Sequence, residues 1–468
     1  MKHWEQRLLL TPLNRAAPCQ LRKKFDVVVI GTGSAGSTAA HKLQSKGQKV
    51  AVIDYDPFGG TCALRGCDPK KVLVRAAELV ERTGALHQKG IEQTAVLSWA
   101  ELMAFKRTFT EPVPAKKDLA FKKAGIATFH GTAHFLTDRL IKVGDDQLEA
   151  DRFVIAAGAR PAQLGIAGEE LLLDSTGFLE LDELPRELVF VGGGYIAMEF
   201  AHVAVRAGAK VTIVHRGARP LENFEADLAL LLLQATRDAG IKVLLDTEVK
   251  SLEKTPGGFR VHARHQGGEV LLTAGLVVHA AGRTPELEEL HLEKANVAYS
   301  KKGVQVNEFL QSVTNPSVYA CGDASEGGLP LTPVAAMEGF LVASNMLKGN
   351  HQRPDYRVIP TNVFSLPHLA AVGLTEQQAR TQGKTIKVNF ENTSDWFSTR
   401  QINEPVSGYK IIIDQDSDLI LGAHLLGSQA PEVINVLALA MQHGITASQV
   451  RKMKFSYPTS ASDLVHMV

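Results

Sequence analysis

Two cysteines, Cys62 and Cys67, stand five positions apart and are residue types suited to redox chemistry. In a regular helix the Cα atoms of residues five apart are separated by roughly 8.7 Å, beyond the usual disulfide limit of about 7 Å. A disulfide between them therefore needs an irregular backbone, which Gly66 can provide. Pro69 and Lys70 suit the first turn of a following helix, and a helix start beside a lysine favours a thiolate. We expect a redox-active pair, and two unrelated small apolar residues are the alternative.

The elements before this pair are typical of a dinucleotide-binding unit. An apolar run over 25–30 predicts a buried parallel strand, and the glycines of 31–36 predict a turn into an alanine-rich helix that runs to Gly47. The next strand, 49–53, ends at Asp54, whose carboxylate is placed to accept both hydrogen bonds of a ribose diol. The helix start would hold a pyrophosphate, and a tight turn without a ligand is the alternative. The residues expected at this first site are Gly31, Gly33, Ser34, Ala35, Gly36 and Asp54.

A second unit of the same kind begins with the strand 187–191. Its glycines lead into a helix that runs to Gly208, and the following strand, 210–214, ends in basic residues where an acid would mark NADH. Arginines in that place are typical of a site for a 2′-phosphate, so NADPH is favoured over NADH. A solvated basic loop is the alternative. The residues expected at this second site are Gly192, Gly194, Tyr195, Ile196, His215, Arg216 and Arg219.

The stretch 59–70 resembles the redox-active segment of the pyridine nucleotide-disulfide oxidoreductases, the family of glutathione reductase, dihydrolipoamide dehydrogenase and mercuric reductase. Segments 153–161 and 277–285 resemble the family's two crossings between nucleotide domains, and 317–324 resembles its second flavin segment. The resemblance extends along nearly the whole chain. It implies FAD in the first unit and NADPH in the second. It also implies that the flavin contacts include Gly60, Thr61, Cys62, Lys70, Ala157, Gly158, Gly282, Gly322, Asp323 and Pro333.

The same resemblance implies a route for electrons, from the nicotinamide through the flavin to the disulfide. Cys62 is then the thiol that exchanges with the substrate, and Cys67 is the thiol in charge-transfer contact with the flavin. Lys70 and Glu199 occupy the positions of an ion pair beside the flavin, and Tyr195 occupies that of a gate over the nicotinamide pocket. An ordinary helix-surface lysine is the alternative for Lys70.

The C-terminal segment departs from the disulfide reductases, which end in His-Pro-Thr followed by a glutamate. Their histidine is the acid and base for the exchanging thiol. This chain has Tyr457 at the histidine position and Ser462 at the glutamate position, and a tyrosine is a poor base at neutral pH. Mercuric reductases share the tyrosine but also carry paired cysteines near the C-terminus, which this sequence does not show. We therefore expect neither ordinary glutathione or lipoamide turnover nor efficient mercuric-ion reduction by that route. Asp68 adds a carboxylate beside the thiols and should raise a thiol pKa if close.

After residue 350 the pattern changes to strands over 361–375, 408–414 and 420–427, with a helix over 430–443. This resembles the family's interface domain, which pairs two subunits so that the C-terminus of one reaches the disulfide of the other. The predicted fold class is α/β, with two Rossmann-like nucleotide-binding domains plus a C-terminal α+β dimerisation domain. The predicted division is an N-terminal extension (1–24), an FAD-binding domain (25–152 and 286–350), an NAD(P)H-binding domain (153–285) and a dimerisation domain (351–468).

Composition restricts the partners that the protein can bind and the cellular compartment that suits it. The 468 residues are 45% hydrophobic and 22% charged, with a formal net charge of +1. That length suits about three domains, and nothing in the charge would attract nucleic acid. Four cysteines are too few for a secreted disulfide scaffold and favour a reducing, cytoplasmic setting. No apolar run approaches the roughly 18 residues that span a bilayer, and the leucines at 8–10 are too few for a signal peptide. A weak membrane or organellar role for the basic extension stays open.

The sequence thus predicts a homodimeric FAD- and NADPH-dependent oxidoreductase. Its cysteine pair passes electrons to a disulfide or another thiol-reactive acceptor, either a small molecule or a small protein. Two alternatives stay open: reduction of a metal ion, a quinone or oxygen directly at the flavin, and a redox-sensing binding protein without turnover. Cys321 is interpreted as a core residue packed under the flavin, and no resident metal is expected.

Overall fold

The computed structural model describes residues 22–468, so residues 1–21 of the predicted extension lie outside it. The first strand begins at Arg22, earlier than the Phe25 start expected, because residues 22–24 continue its pairing with 147–149. The first part of the chain contains, in order, β1 (Arg22–Ile30), α1 (Ser34–Gln44), β2 (Val50–Asp54), α2 (Gly60–Arg65), α3 (Cys67–Ala85), α4 (Trp99–Thr110), α5 (Val113–Lys123), β3 (Ala127–His130), β4 (Ala133–Thr137), β5 (Leu140–Val143) and β6 (Asp146–Ile155).

A parallel arrangement of β3, β2, β1 and β6 forms the centre of this unit. The last four residues of β1 are all buried, because helices cover both faces of such a sheet and its strands must then be apolar throughout. β5 and β4 extend β6 with antiparallel pairing. The carboxyl ends of β1, β2 and β6 meet at one edge, where the first glycine loop lies.

The chain then crosses into a second unit built on the same plan. Its elements are, in order, β7 (Ala159–Pro161), α6 (Ser175–Phe178), β8 (Glu187–Val191), α7 (Tyr195–Arg206), β9 (Lys210–Val214), α8 (Ala226–Asp238), β10 (Lys242–Leu244), β11 (Thr247–Thr255), β12 (Gly258–His265), β13 (Gly268–Ala274), β14 (Leu276–His279) and β15 (Arg283–Pro285). The parallel sheet has the order β10-β9-β8-β14, and β11, β12 and β13 form an antiparallel sheet. The crossing strands β7 and β15 pair with each other, so the two connections between the units lie side by side.

The chain next returns to the first unit and then enters a third. The elements are, in order, β16 (Tyr299–Ser300), β17 (Gly303–Val304), β18 (Val318–Ala320), α9 (Thr332–Lys348), β19 (Thr361–Val363), β20 (Leu369–Gly373), α10 (Glu376–Thr381), β21 (Ile386–Asn392), α11 (Phe397–Arg400), β22 (Gly408–Asp414), β23 (Ile420–Leu426), α12 (Ala430–Gln442), α13 (Ala447–Lys452) and α14 (Leu464–Met467). β18 joins β6 in parallel. The third unit is an antiparallel sheet, β19-β20-β23-β22-β21, with helices, and β21 was not predicted from the sequence. The predicted α/β fold class is confirmed.

The hydrophobic core is divided among the sheets. Apolar side chains pack on both faces of the first sheet. The largest cluster joins all three units and includes Leu73 of α3, Phe190 of β8 and Leu369 of β20. The helix that begins at Cys67 is therefore packed against each unit. Within residues 22–468, no helix combines the length and the apolar character needed to cross a membrane.

Candidate active site

The two cysteines lie in two consecutive helices. Cys62 is in the short helix α2, and Cys67 is the first residue of α3. Gly66 separates the helices with φ −144° and ψ −121°, so the irregular backbone predicted between the cysteines is confirmed. A Cβ atom on Gly66 would lie 2.8 Å from the carbonyl oxygen of Thr61, and therefore only glycine fits this break.

Cys62 and Cys67 are both free thiols in this structure, and their side chains share a hydrogen bond. That hydrogen bond lowers the pKa of Cys67 to about 6, with help from the charge of Lys70 and the hydroxyl of Thr332, while burial acts in the opposite direction. The same hydrogen bond, together with burial, raises the pKa of Cys62. The two shifts in opposite directions favour a thiolate at Cys67 and a protonated thiol at Cys62.

Thr332, the first residue of α9, lies beside Cys67. Its Oγ1 is 3.7 Å from the Cys67 Sγ. Because α9 is 17 residues long, the sulfur lies near the positive end of a long helix, which favours an anion. Pro333 occupies the first turn of α9, where its missing N–H leaves no helical hydrogen bond unmade. Pro333 was predicted as a site residue and Thr332 was not, although the helix start signalled by Pro333 marks its position.

Lys70, in the first turn of α3, forms a buried salt bridge with Glu199 of α7. Its Nζ is 2.8 Å from Oε1 of Glu199, and 11% and 7% of the two side chains are exposed. The same carboxylate oxygen accepts a 2.9 Å hydrogen bond from the backbone N–H of Phe364, whose ring centre lies 4.5 Å from Nζ of Lys70. The predicted pairing is confirmed, and Phe364 was not foreseen. These contacts join all three units next to the thiols.

The first glycine loop is packed too closely for side chains. A Cβ on Gly31, where φ is +102°, would lie 2.1 Å from the carbonyl oxygen of Ala156, and one on Gly36 would lie 2.0 Å from that of Gly31. Gly60, at the start of the thiol segment, packs on the same loop, because its Cβ would lie 2.4 Å from the Cα of Gly33. The thiol segment and the predicted nucleotide loop are therefore in direct contact.

The start of α1 fits a pyrophosphate. Gly33 precedes the helix without a side-chain cap, and the first turn contains no acidic residue. The backbone N–H groups of the first turn, which starts with Ser34 and Ala35, are therefore free to bind an anion. Asp54 ends β2 as predicted. Its Oδ2 accepts hydrogen bonds of 2.8 and 2.6 Å from the N–H and the hydroxyl of Thr32. The carboxylate expected at the ribose is thus oriented by Thr32, which was not predicted. These residues fit the FAD that the resemblance implies.

The predicted second flavin segment forms a turn after β18. Gly322 has a φ of +65°, and its N–H donates a 2.7 Å hydrogen bond to Glu338 of α9. Glu338 is fully buried and also accepts a 2.6 Å hydrogen bond from the hydroxyl of Tyr356. Burial raises the pKa of Asp323, which follows Gly322. Cys321 is buried in the core, as expected. Glu338, which was not predicted, therefore fixes the turn that presents Asp323.

The predicted flavin contacts at the crossings have open backbone. Gly158 and Gly282 have φ values of +77° and +107°, and a Cβ on either would meet no atom within 4 Å. The positive φ, and not crowding, explains glycine here. Ala157, before Gly158, is half-buried. The exposed backbone at both crossings fits the approach of a planar ring system.

The second glycine loop repeats the first. A Cβ on Gly192, where φ is +116°, would lie 2.2 Å from a backbone carbonyl oxygen after β14, and Gly194 precedes α7 without a side-chain cap. This arrangement fits a second pyrophosphate. Tyr195, the first residue of α7, is 37% exposed, and its hydroxyl is 2.9 Å from Oγ1 of Thr361 in β19. Ile196 is half-buried beside it. The tyrosine predicted as a gate is therefore held by the third unit.

The basic residues after β9 have different roles. Arg219 donates hydrogen bonds of 2.7 to 3.3 Å to three backbone carbonyls within 221–224, so it stabilises its own loop. His215 lies against the second glycine loop, with Nε2 3.4 Å from a carboxylate oxygen of Glu222. Arg216 is exposed and forms no salt bridge or hydrogen bond with residues 22–468. Arg216 is therefore available to a 2′-phosphate, whereas the guanidinium of Arg219 is already engaged by its own loop.

Tyr457 lies on the surface of the C-terminal segment. Its side chain is 83% exposed, and the residues after it are held by a capping box between Thr459 and Ser462. No hydrogen bond joins it to Cys62 or Cys67 of its own chain in the part that the structure describes. This placement suits a residue that acts across a subunit interface.

Comparisons with known proteins agree with this geometry. Residues 25–339 match the family described as pyridine nucleotide-disulphide oxidoreductase, and residues 359–468 match its dimerisation domain. Mercuric reductase of Staphylococcus aureus is 32% identical over 446 residues, which cover 94% of this chain and 81% of that protein. Glutathione reductase of a Nostoc species is 30% identical over 463 residues, covering 95% and 99%. Among solved structures, the Cu(II) complex of the HOCl-induced flavoprotein disulfide reductase RclA from Escherichia coli has a TM-score of 0.85 at 28% identity, covering 95% of this chain and 99% of that one.

Proposed function

The chain belongs to the pyridine nucleotide-disulphide oxidoreductase family, and we propose that it passes electrons from NADPH through Cys62 and Cys67 to a thiol-reactive acceptor. FAD and a pyridine nucleotide are the cofactors of this family, and the dimerisation domain indicates a homodimer. The observation that carries the proposal is the thiol pair itself. Its two pKa values move in opposite directions, and it stands beside the buried pair of Lys70 and Glu199.

The two thiols have different roles in the proposed reaction. The bound flavin supplies two-electron transfer between a nicotinamide and a disulfide. Cys67 holds a negative charge at neutral pH and is stabilised by Cys62, by Lys70 and by Thr332. Cys62 occupies the position of the family's exchanging thiol, and because its pKa is raised, it must lose a proton as it attacks the acceptor. Because a tyrosine is a poor base at neutral pH, that proton goes to solvent or to the acceptor and not to Tyr457 of the partner subunit.

We place FAD in the first unit and the nicotinamide nucleotide in the second. Contact between the first glycine loop and Gly60 of the thiol segment supports the first placement. The uncapped start of α7 after Gly194 supports the second. The exposed Arg216, at the position where an acid would bind the ribose of NADH, supports NADPH. The free thiols suit a reducing cytoplasm.

A disulfide is the first candidate for the acceptor, because thiol exchange is the chemistry of a cysteine pair with one thiolate. A soft metal ion is the second candidate. Two neighbouring sulfurs are ligands that soft metals prefer, one relative is named mercuric reductase, and RclA was solved as a Cu(II) complex. The tyrosine at position 457, where the disulfide reductases have a histidine, favours acceptors that need little help with proton transfer.

Anaerobic stopped-flow mixing tests this proposal. The holoprotein is reduced with NADPH and then mixed with glutathione disulfide, lipoamide, Cu(II), Hg(II), a quinone or oxygen. Reoxidation of wild type by a disulfide or a metal ion, lost in Cys62→Ser, is the expected result. Equal reoxidation of wild type and Cys62→Ser by the quinone or oxygen would place the reaction at the flavin. Reduction by NADPH without reoxidation by any acceptor would indicate a sensor.

A further inference from the structure

Asp68 directly follows Cys67 and carries an exposed carboxylate in the first turn of α3. Within residues 22–468 it forms no salt bridge and no hydrogen bond through its side chain. The hydrogen bond to Cys67, burial and the charge of Cys67 are the larger causes of the raised pKa of Cys62, and the negative charge of Asp68 adds to them. Because Asp68 is exposed and directly follows Cys67, an acceptor at the thiol pair approaches the protein beside this carboxylate.

The cations that flank the thiols are already neutralised. The guanidinium of Arg65, between the two cysteines in sequence, forms a salt bridge with Asp56, and only 20% and 32% of these side chains are exposed. The ammonium of Lys70 is buried against Glu199 at 2.8 Å. Neither cation offers an unpaired positive charge to an acceptor.

The next two cations along α3 are directed elsewhere. Lys71 and Arg75 both bind the carboxylate of Glu78, at 3.3 and 2.7 Å. His368, the residue before β20, also contacts Glu78, with its Nε2 2.8 Å from Oε1 of Glu78. The ammonium of Lys71 lies 3.8 Å from the ring centre of Phe364. The positive charge of α3 therefore gathers around Glu78, and Asp68 remains the unpaired charge beside the thiols.

We propose that Asp68 is a specificity-determining residue, which favours positively charged acceptors at Cys62 and disfavours negatively charged ones. This inference rests on the proposed function and names the class of its acceptor. The interaction of two unit charges at contact distance in water changes a rate by about fivefold. The reaction rates of a doubly positive and a doubly negative acceptor should therefore differ by an order of magnitude or more. Because Asp68 is exposed, salt weakens the effect.

The reaction used to test this balances as thiol exchange. The thiolate of Cys62 attacks one sulfur of the acceptor disulfide and releases the first product thiol. Cys67 then attacks Cys62 and releases the second. The enzyme dithiol loses two electrons and two protons as its disulfide forms, the acceptor gains them as two thiols, and NADPH with one proton restores the dithiol.

The test compares three small disulfides that differ in charge: cystamine, a dication; bis(2-hydroxyethyl) disulfide, which is neutral; and 3,3′-dithiodipropionate, a dianion. For the holoprotein at low ionic strength, we expect kcat/KM to fall in that order, with at least a tenfold difference between dication and dianion. Added salt should reduce this ratio. Asp68→Asn should remove most of it, Asp68→Glu should keep it, and Asp68→Lys should reverse the order.

Glu269→Gln is the matched control, because Glu269 is an exposed acid on β13, in the antiparallel sheet of the second unit. It should leave the ratio as in wild type. A second readout does not need turnover: the thiol pair of the reduced protein should react faster with neutral iodoacetamide than with anionic iodoacetate, and Asp68→Asn should narrow that difference in rate. An unchanged ratio in Asp68→Asn, by either readout, overturns the role of Asp68. Failure to reduce any of the three disulfides, in a protein whose cysteines stay oxidised under NADPH, would instead overturn the proposed function.

Discussion

Lys70 and Glu199 form a buried ion pair, 2.8 Å from Nζ to Oε1, that joins the helix of the thiols to the second nucleotide unit. The same carboxylate accepts the N–H of Phe364 from the third unit. The charge near the thiols and the packing of the units therefore depend on one contact. Neither charge can be removed alone without leaving its partner buried and uncompensated.

Glu199→Gln should lower the free energy of unfolding by roughly 3 to 5 kcal/mol, because it leaves the Lys70 ammonium buried without a counter-charge. The double variant Lys70→Met with Glu199→Leu should be less destabilised than Glu199→Gln alone. Urea unfolding measures both. Lys210→Met, which breaks an exposed pair with Glu187, is the control and should cost no more than about 1 kcal/mol. If the losses in unfolding free energy of Lys70→Met alone and Glu199→Leu alone add up to the loss in the double variant, the prediction is contradicted.

The reduced enzyme should show a long-wavelength absorption band from the Cys67 thiolate in contact with the flavin. Because the pKa of Cys67 is lowered from 9.0 to about 6, the thiolate exists above that pH, and the band should disappear as the pH falls through about 6. A pH titration of the absorbance measures this. Cys67→Ser should abolish the band, and Cys62→Ser should show it without reduction. Direct reduction of wild type to colourless flavin would count against the pair.

Arg216→Gln should weaken NADPH far more than NADH, because Arg216 is the exposed arginine at the expected 2′-phosphate position. The loss in kcat/KM for NADPH should correspond to roughly 1.5 to 3 kcal/mol. Steady-state kinetics with both coenzymes measure it. Arg219→Gln is the matched variant: it removes hydrogen bonds to three backbone carbonyls and should lower the melting temperature while affecting both coenzymes alike. Equal effects of Arg216→Gln on the two coenzymes would refute the assignment.

Tyr457→His should raise the turnover of glutathione disulfide, since acid-base assistance is worth about 10²–10⁴ in rate. Tyr457→Phe separates two roles of the wild-type hydroxyl: a loss above tenfold means that it donates a proton or hydrogen bond, and unchanged activity means that it only packs. Tyr299→Phe, at another exposed tyrosine, is the control. Vigorous glutathione or lipoamide reduction by wild type would show that the histidine is dispensable.

Local signals in the sequence predicted much of this arrangement. The buried strands before the glycine loops have continuous apolar runs, and the break at Gly66 follows from the spacing of the cysteines. The sequence around Thr332 signalled a helix start but not a contact with Cys67, and nothing in it signalled the role of Glu338. Thr332 lies 265 positions from the cysteine that it contacts, and Glu338 meets Gly322 only because α9 folds back over the first unit. Contacts of this kind depend on tertiary packing, which periodicity and spacing do not encode.

The side chain of Arg219 shows another limit. From sequence, an arginine after the second strand of such a unit is typical of a phosphate ligand. The structure directs its guanidinium to the carbonyls of its own loop, because unpaired backbone groups near a turn compete for the same donor. Residue type and position could not distinguish these two partners.

The helix that begins at Cys67 contacts its surroundings through three ion pairs that each include a carboxylate. Its Lys70, Glu78 and Glu81 pair with Glu199, His368 and Arg206, respectively. The helix that carries Cys62 has only six residues and is bounded by Gly59 and Gly66. Making and breaking the bond between the two sulfurs requires one of them to be displaced in every catalytic cycle. Under the proposed electron route, we expect that displacement to fall on Cys62, so that the sulfur that meets the acceptor is also the one that moves, while Cys67 keeps its position at the start of α3.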